Sequence, residues 1–95
     1  MKRAQPPQIL ATTPGGRSLL FHLNAGEGMP RHQHPQTQVV IAVLSGELHV
    51  TTDEGTRTLY GAEVTVQDGG QPVALEAAQP GTQVLVTLLG GREGG

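Results

Sequence analysis

The chain has 95 residues, a formal net charge of −2, no cysteine and only two aromatic rings, Phe21 and Tyr60. That length suits one small domain. The lack of cysteine excludes a disulfide framework and a thiolate metal site. The charges are scattered in sign, with neither a basic stripe nor a row of stacking rings, so no nucleic-acid partner is expected. No apolar run reaches the roughly 18 residues of a membrane span, so no membrane partner is expected either.

Residues 1–16 are rich in Pro, Gln and Gly. They read as an extended arm, since proline removes backbone donors and glycine disfavours a helix. Within the arm, Gln8-Ile9-Leu10-Ala11 could add as an edge strand, on its own sheet or swapped onto a partner's. The basic start is followed by Ala4-Gln5-Pro6-Pro7 and not by an apolar segment, so no secretory signal is expected. The cysteine-free composition suits a reducing cytoplasm, the expected location.

From residue 17 to 89 the chain alternates short β-type segments with turn signals. Ser18–Asn24 reads as a strand with Leu19, Phe21 and Leu23 on one face and Leu20, His22 and Asn24 on the other. After Gly26 and Gly28 comes Pro30-Arg31-His32-Gln33-His34-Pro35, and then Gln38–Leu44, the most apolar strand of the chain. Ser45-Gly46 is a tight turn. Glu47–Thr52 alternates, with Leu48 and Val50 inward. Asp53-Glu54-Gly55 closes a hairpin onto Thr56–Leu59. Strands over Glu63–Gln67, Val73–Ala77 and Thr82–Leu89 follow, divided by Asp68-Gly69-Gly70-Gln71-Pro72 and Pro80-Gly81. Residues 90–95 form a Gly-rich tail, expected to be flexible. Seven or eight short strands without helical periodicity indicate an all-β antiparallel sandwich or barrel. Such a domain, small and without covalent staples, is expected to pair with a copy of itself as a homodimer.

The chemistry concentrates at His32-x-His34. On a strand, the period of two would aim both imidazoles the same way, where they could share a divalent ion. A turn at Pro35-Gln36 would bring the side chain of Gln38 back toward the same point. His49 is out of phase with Leu48 and Val50 and reads as a surface residue, as does His22 on the face of Leu20 and Asn24. Glu27 and Glu76 read as solvated. No triad order, P-loop or dinucleotide glycine motif is present.

The order Gly26, His32-x-His34, an apolar strand and Gly46 resembles the first motif of the cupin superfamily, with the interval from Gln38 to Gly46 one residue longer than usual. Tyr60-Gly61-Ala62-Glu63-Val64 resembles the start of the second motif. Gln71-Pro72-Val73 resembles its later Pro-His segment. The resemblance implies a double-stranded β-helix, or jelly roll, over residues 17–89, and most often a dimer. It also implies a metal site of three histidines and a glutamate. Here His32 and His34 match it, Gln38 replaces the glutamate and Val73 replaces the third histidine. Glu63 matches an acidic residue that serves the backbone of a turn.

The resemblance thus makes His32, His34 and Gln38 the candidate metal ligands, for Zn, Ni, Cu or Fe held weakly or not at all. Val40, Ala42, Val73 and Leu75 are the expected pocket lining, and no catalytic residue is assigned. The expected function is a cupin barrel binding a small-molecule ligand, with a degenerate divalent-metal site at the His-x-His motif. The alternative is a metal-dependent enzyme, dioxygenase- or isomerase-like, acting on a small oxygen-bearing substrate.

Overall fold

The alternation of apolar and polar residues becomes two facing β-sheets in the computed structural model, which describes residues 1–90. Ten strands are present: β1 (Lys2–Arg3), β2 (Gln8–Thr13), β3 (Gly16–Leu23), β4 (Glu27–His32), β5 (Thr37–Ser45), β6 (Glu47–Thr52), β7 (Gly55–Tyr60), β8 (Val64–Asp68), β9 (Val73–Ala77) and β10 (Thr82–Gly90). No helix occurs among the described residues. One sheet has the order β1-β4-β9-β6-β7 and the other β2-β3-β10-β5-β8. All pairings are antiparallel except that of β1 with β4.

This is the all-β antiparallel architecture expected from the turn spacing, in the jelly-roll form that the resemblance implies. The strands anticipated from Ser18 onward correspond to β3 and β5 to β10, with ends shifted by one or two residues. The arm contributes two pairings within its own chain. β1 lies beside β4 in one sheet and β2 beside β3 in the other, so residues 4–7 cross from sheet to sheet. Of the expected tail, residues 91–95 lie outside the described residues.

The core lies between the inner faces. Leu19, Phe21 and Leu23 of β3 are buried there, as are Val39, Ile41 and Val43 of β5, Leu48 and Val50 of β6, Val73 and Leu75 of β9, and Val84, Val86 and Leu88 of β10. Ile41, Leu48 and Val43 are fully enclosed. Truncating such a leucine to alanine costs about 2–5 kcal/mol, because lost transfer energy and an unfilled hole add together.

Two turns repeat one design. In Asn24–Glu27, the Glu27 N–H donates to the Asn24 carbonyl at 3.0 Å, while Glu27 Oε1 accepts from the Asn24 N–H at 2.9 Å. In Tyr60–Glu63, the Glu63 N–H donates to the Tyr60 carbonyl at 2.9 Å, and Glu63 Oε1 accepts from the Tyr60 N–H at 2.7 Å. Glu63 therefore serves its turn as anticipated. Glu27, anticipated in solvent, does the same work while only 4% exposed. The Asn24 N–H, with help from Lys2, holds its carboxyl below the ordinary 4.5.

Candidate ligand-binding cavity

One end of the space between the sheets is open, and there a cavity of about 250 Å³ reaches the core. Its walls are the inward residues of β3 (Leu19, Phe21), β5 (Val39, Ile41), β9 (Val73, Leu75) and β10 (Val86, Leu88), closed on one side by Met29 and Pro30. Among the described residues the polar side chains on its lining are His32, His34, Arg3 and Arg17, with no carboxylate.

The position of His32 depends on a fault in β4. Met29 stands opposite Leu75 and His32 opposite Val73, so three steps on β4 match two on β9. The extra residue falls at Pro30-Arg31. Proline cannot donate to the ladder, and a bulge is where an interior strand tolerates it. Without the bulge, strict alternation from Met29 would aim Arg31 at the cavity. With it, His32 turns inward, while Arg31 is left outside on an exposed ion pair with Asp53 at 2.9 Å. The Nδ1 of His32 lies 2.7 Å from the Pro30 carbonyl oxygen. A carbonyl only accepts, so in the neutral ring Nδ1 carries the proton and Nε2 the lone pair.

His34 lies past the end of β4, not on it. Its N–H donates to the Gly69 carbonyl at 2.7 Å, and the Gly69 N–H donates to Thr37 at 2.7 Å. Gln36 then turns the chain with a φ of 61°. The two imidazoles still meet, edge to face, with centroids 4.9 Å apart. Burial first, then His32 and Arg17, lowers the pKa of His34 from the usual 6.5.

The structure sorts the remaining candidates by strand phase. Val73 and Leu75 stand on the cavity wall. Val40 and Ala42 do not: on β5 the buried residues are Val39, Ile41 and Val43, so their neighbours face outward. Gln38 is exposed on that same outer face, pairs with Leu89 and Asp68, and does not approach the histidines. The β5 residues that share the cavity lining with the histidines are Val39 and Ile41. Counting from Val39 instead of Gln38 also removes the extra residue in the interval to Gly46. His22 and His49 lie on outer faces, His22 beside Gln83 and His49 3.1 Å from Glu47.

Arg3 and Arg17 were missed by sequence reasoning. Arg17 was within reach of it, since it continues the inward series Leu19, Phe21, Leu23 by one step of two. Arg3 carried no such signal, because only the pairing of β1 with β4 brings it to the cavity.

A metal ion, which the family resemblance implies, fits this lining poorly. Two imidazoles on one ion, with nitrogen bonds of about 2.1 Å and ring centres roughly 1.1 Å beyond, stand about 4.5–5.2 Å apart, so the spacing of the pair is suitable. The donors run out after that pair. Val39 and Val73 stand where further ligands are needed, Gln38 faces away, and no group of three His, Cys, Asp or Glu able to hold an ion occurs among the described residues. Two arginines at the mouth add repulsion toward a dication.

No family model matches the chain, and no curated protein does. Solved structures do. KdgF from Halomonas sp. superposes with a TM-score of 0.82 at 21% identity, over 90% of this chain and 80% of that one. An RmlC-like cupin protein from Desulfovibrio desulfuricans gives 0.79 at 24% identity, over 87% and 79%. A transcriptional regulator of the HTH_3 family from Vibrio cholerae gives 0.83 at 19% identity, over 90% of this chain and 51% of that one. These likenesses show that the chain has the cupin fold.

Proposed function

We propose that this cupin-fold chain is a small-molecule-binding barrel whose ligand enters the open end and rests on the apolar floor beside His32 and His34. The observation that carries this reading is a preformed cavity of about 250 Å³, walled by apolar side chains with four polar groups on its lining. Small-molecule sites combine these features: an apolar enclosure and a few convergent polar groups. His32 Nε2 offers an acceptor at the wall, and the His34 ring stands against it. The lining supplies two ligands to an ion, so binding of a metal is weak and no step of the function is routed through one.

The test is cavity filling. Val73→Phe places a ring in the space a ligand would occupy. It should abolish the thermal stabilisation that a hit from a fragment library gives the wild type, while the far-UV spectrum stays that of a β-protein. Retained binding in Val73→Phe would place the ligand elsewhere and end this reading.

We further propose that two copies pair through the outer face of the β2-β3-β10-β5-β8 sheet. On β8 the usual alternation is inverted: Thr65 is buried at 7% exposed, while Val64 and Val66 point outward at 56% and 57%. They stand beside Ala42 and Val40 across β5. Exposed apolar rows of this kind mark contact surfaces. Val64→Glu with Val66→Lys should convert a dimer to a monomer in light scattering. A wild type that is monomeric at high micromolar concentration would remove the proposal.

A further inference from the structure

The cavity lining is charged on one side of the ledger only. Arg3 and Arg17 sit on it with His32 and His34, and among the described residues no acidic side chain does. Among the described residues the ion pairs are Arg31 with Asp53 and His49 with Glu47, so neither cavity arginine is paired with a described carboxylate. The two come from distant parts of the chain. Arg17 is carried inward by the phase of β3. Arg3 is held by the clamp of the arm on β4, where the Lys2 N–H donates to Gly26 at 3.0 Å and the Ala4 N–H to Gly28 at 2.8 Å. Two guanidiniums thus stand at the mouth of a hollow whose deeper walls, Leu75, Val86 and Ile41 among them, are wholly apolar.

Resting on the small-molecule reading above, we propose that the ligand is a small organic anion, a carboxylate carried on an apolar body. The carboxylate meets Arg3 and Arg17, and the body fills the hollow behind it. Guanidinium is suited to this because its planar fork matches a carboxylate's two oxygens, and such charge-assisted bonds are about twice as strong as neutral ones. Size sets the other limit. An engineered cavity of roughly 150 Å³ holds a benzene ring, so a hollow of about 250 Å³ takes a phenyl-sized or branched aliphatic body and little more.

Three probes test the inference by titration calorimetry at low salt: phenylacetate, its neutral amide phenylacetamide of matched shape, and acetate, which lacks the apolar body. Phenylacetate should bind at least about tenfold more tightly than either of the others, the factor expected for a charged hydrogen bond over a neutral one. Arg3→Gln and Arg17→Gln, both exposed positions, should each weaken phenylacetate by roughly tenfold and leave phenylacetamide unchanged. Raising the salt should erode the preference. Equal affinity for phenylacetamide, or no effect of the two arginine variants, would overturn the anion assignment and leave the binding cavity standing. Equal affinity for acetate would overturn the apolar-body half. If none of the three binds to the wild type, the anion assignment and the cavity reading both fall.

Discussion

The carbonyl of Gly69 accepts the backbone N–H of His34 at 2.7 Å, and this bond, with that from Gln33 Nε2 to the Gly70 carbonyl, ties the loop before β9 to the His-x-His stretch. The approach is close enough that a methyl group on Gly69 would collide with the carbonyl oxygens of both His34 and Thr37. Glycine is required here for space and not for its dihedral angles.

Gly69→Ala should therefore push the His34 loop away from the barrel and cost about 1–3 kcal/mol, the usual range for a forced steric insertion. Urea unfolding measures the cost. The imidazole proton resonances should show His34 moving while those of His22 and His49, on the outer faces, stay in place.

The lowered pKa of His34 makes stability depend on pH in a defined sense. The folded state binds the proton less readily than the unfolded chain does. The contribution is thus fully present above the unfolded value near 6.5 and is lost as the pH falls below it. Glu27 acts lower on the scale: its depressed carboxyl contributes above about 4.5 and loses that contribution as the pH drops toward its own folded value. Urea midpoints measured in steps from pH 8 to pH 3 should show both declines. His34→Gln should flatten the upper one and Glu27→Gln the lower one.

The two repeated turns make a matched pair of backbone tests. Gly26 and Ala62 hold the same place in them, with φ of 85° and 73°. A side chain at positive φ costs about 1–2 kcal/mol, while glycine gives back roughly 0.5–1 through its freer unfolded state. Ala62→Gly should stabilise the protein by about 0.5–1 kcal/mol, and Gly26→Ala, which meets no atom within 4 Å, should destabilise it by about 1 kcal/mol. Thermal or urea denaturation reads both; changes of equal sign in the two variants would contradict the shared turn geometry.

Strand phase on β5 is testable with a metal. Val39→Glu together with Val73→His should complete a four-donor set with His32 and His34 and tighten Zn²⁺ binding by at least about 100-fold over the wild type, at some cost in stability from the buried carboxylate. Gln38→Glu with Val73→His should fall well short of that, because position 38 faces outward. Calorimetric titration of the two double variants against Val73→His alone separates them.

What the sequence determined by itself was everything that follows from local period and turn chemistry. Leu19-x-Phe21-x-Leu23 and Leu48-x-Val50 are in phase with burial because a strand turns successive side chains to opposite faces. Gly55 and Gly81 mark turns because positive φ costs glycine nothing. The order of motifs carried the cupin fold. The strand Gln38–Leu44 is where local reading failed. Apolar on both faces, it has no phase of its own, and only pairing with β10 and β8 made Val39 inward and Gln38 outward. The bulge at Pro30-Arg31, the seat of His34 on Gly69 and the arrival of Arg3 are likewise contacts between residues distant in the chain. Long-range pairing sets a strand's register, and a shift of one residue moves every side chain to the opposite face. The tertiary structure alone thus decided which groups share the cavity.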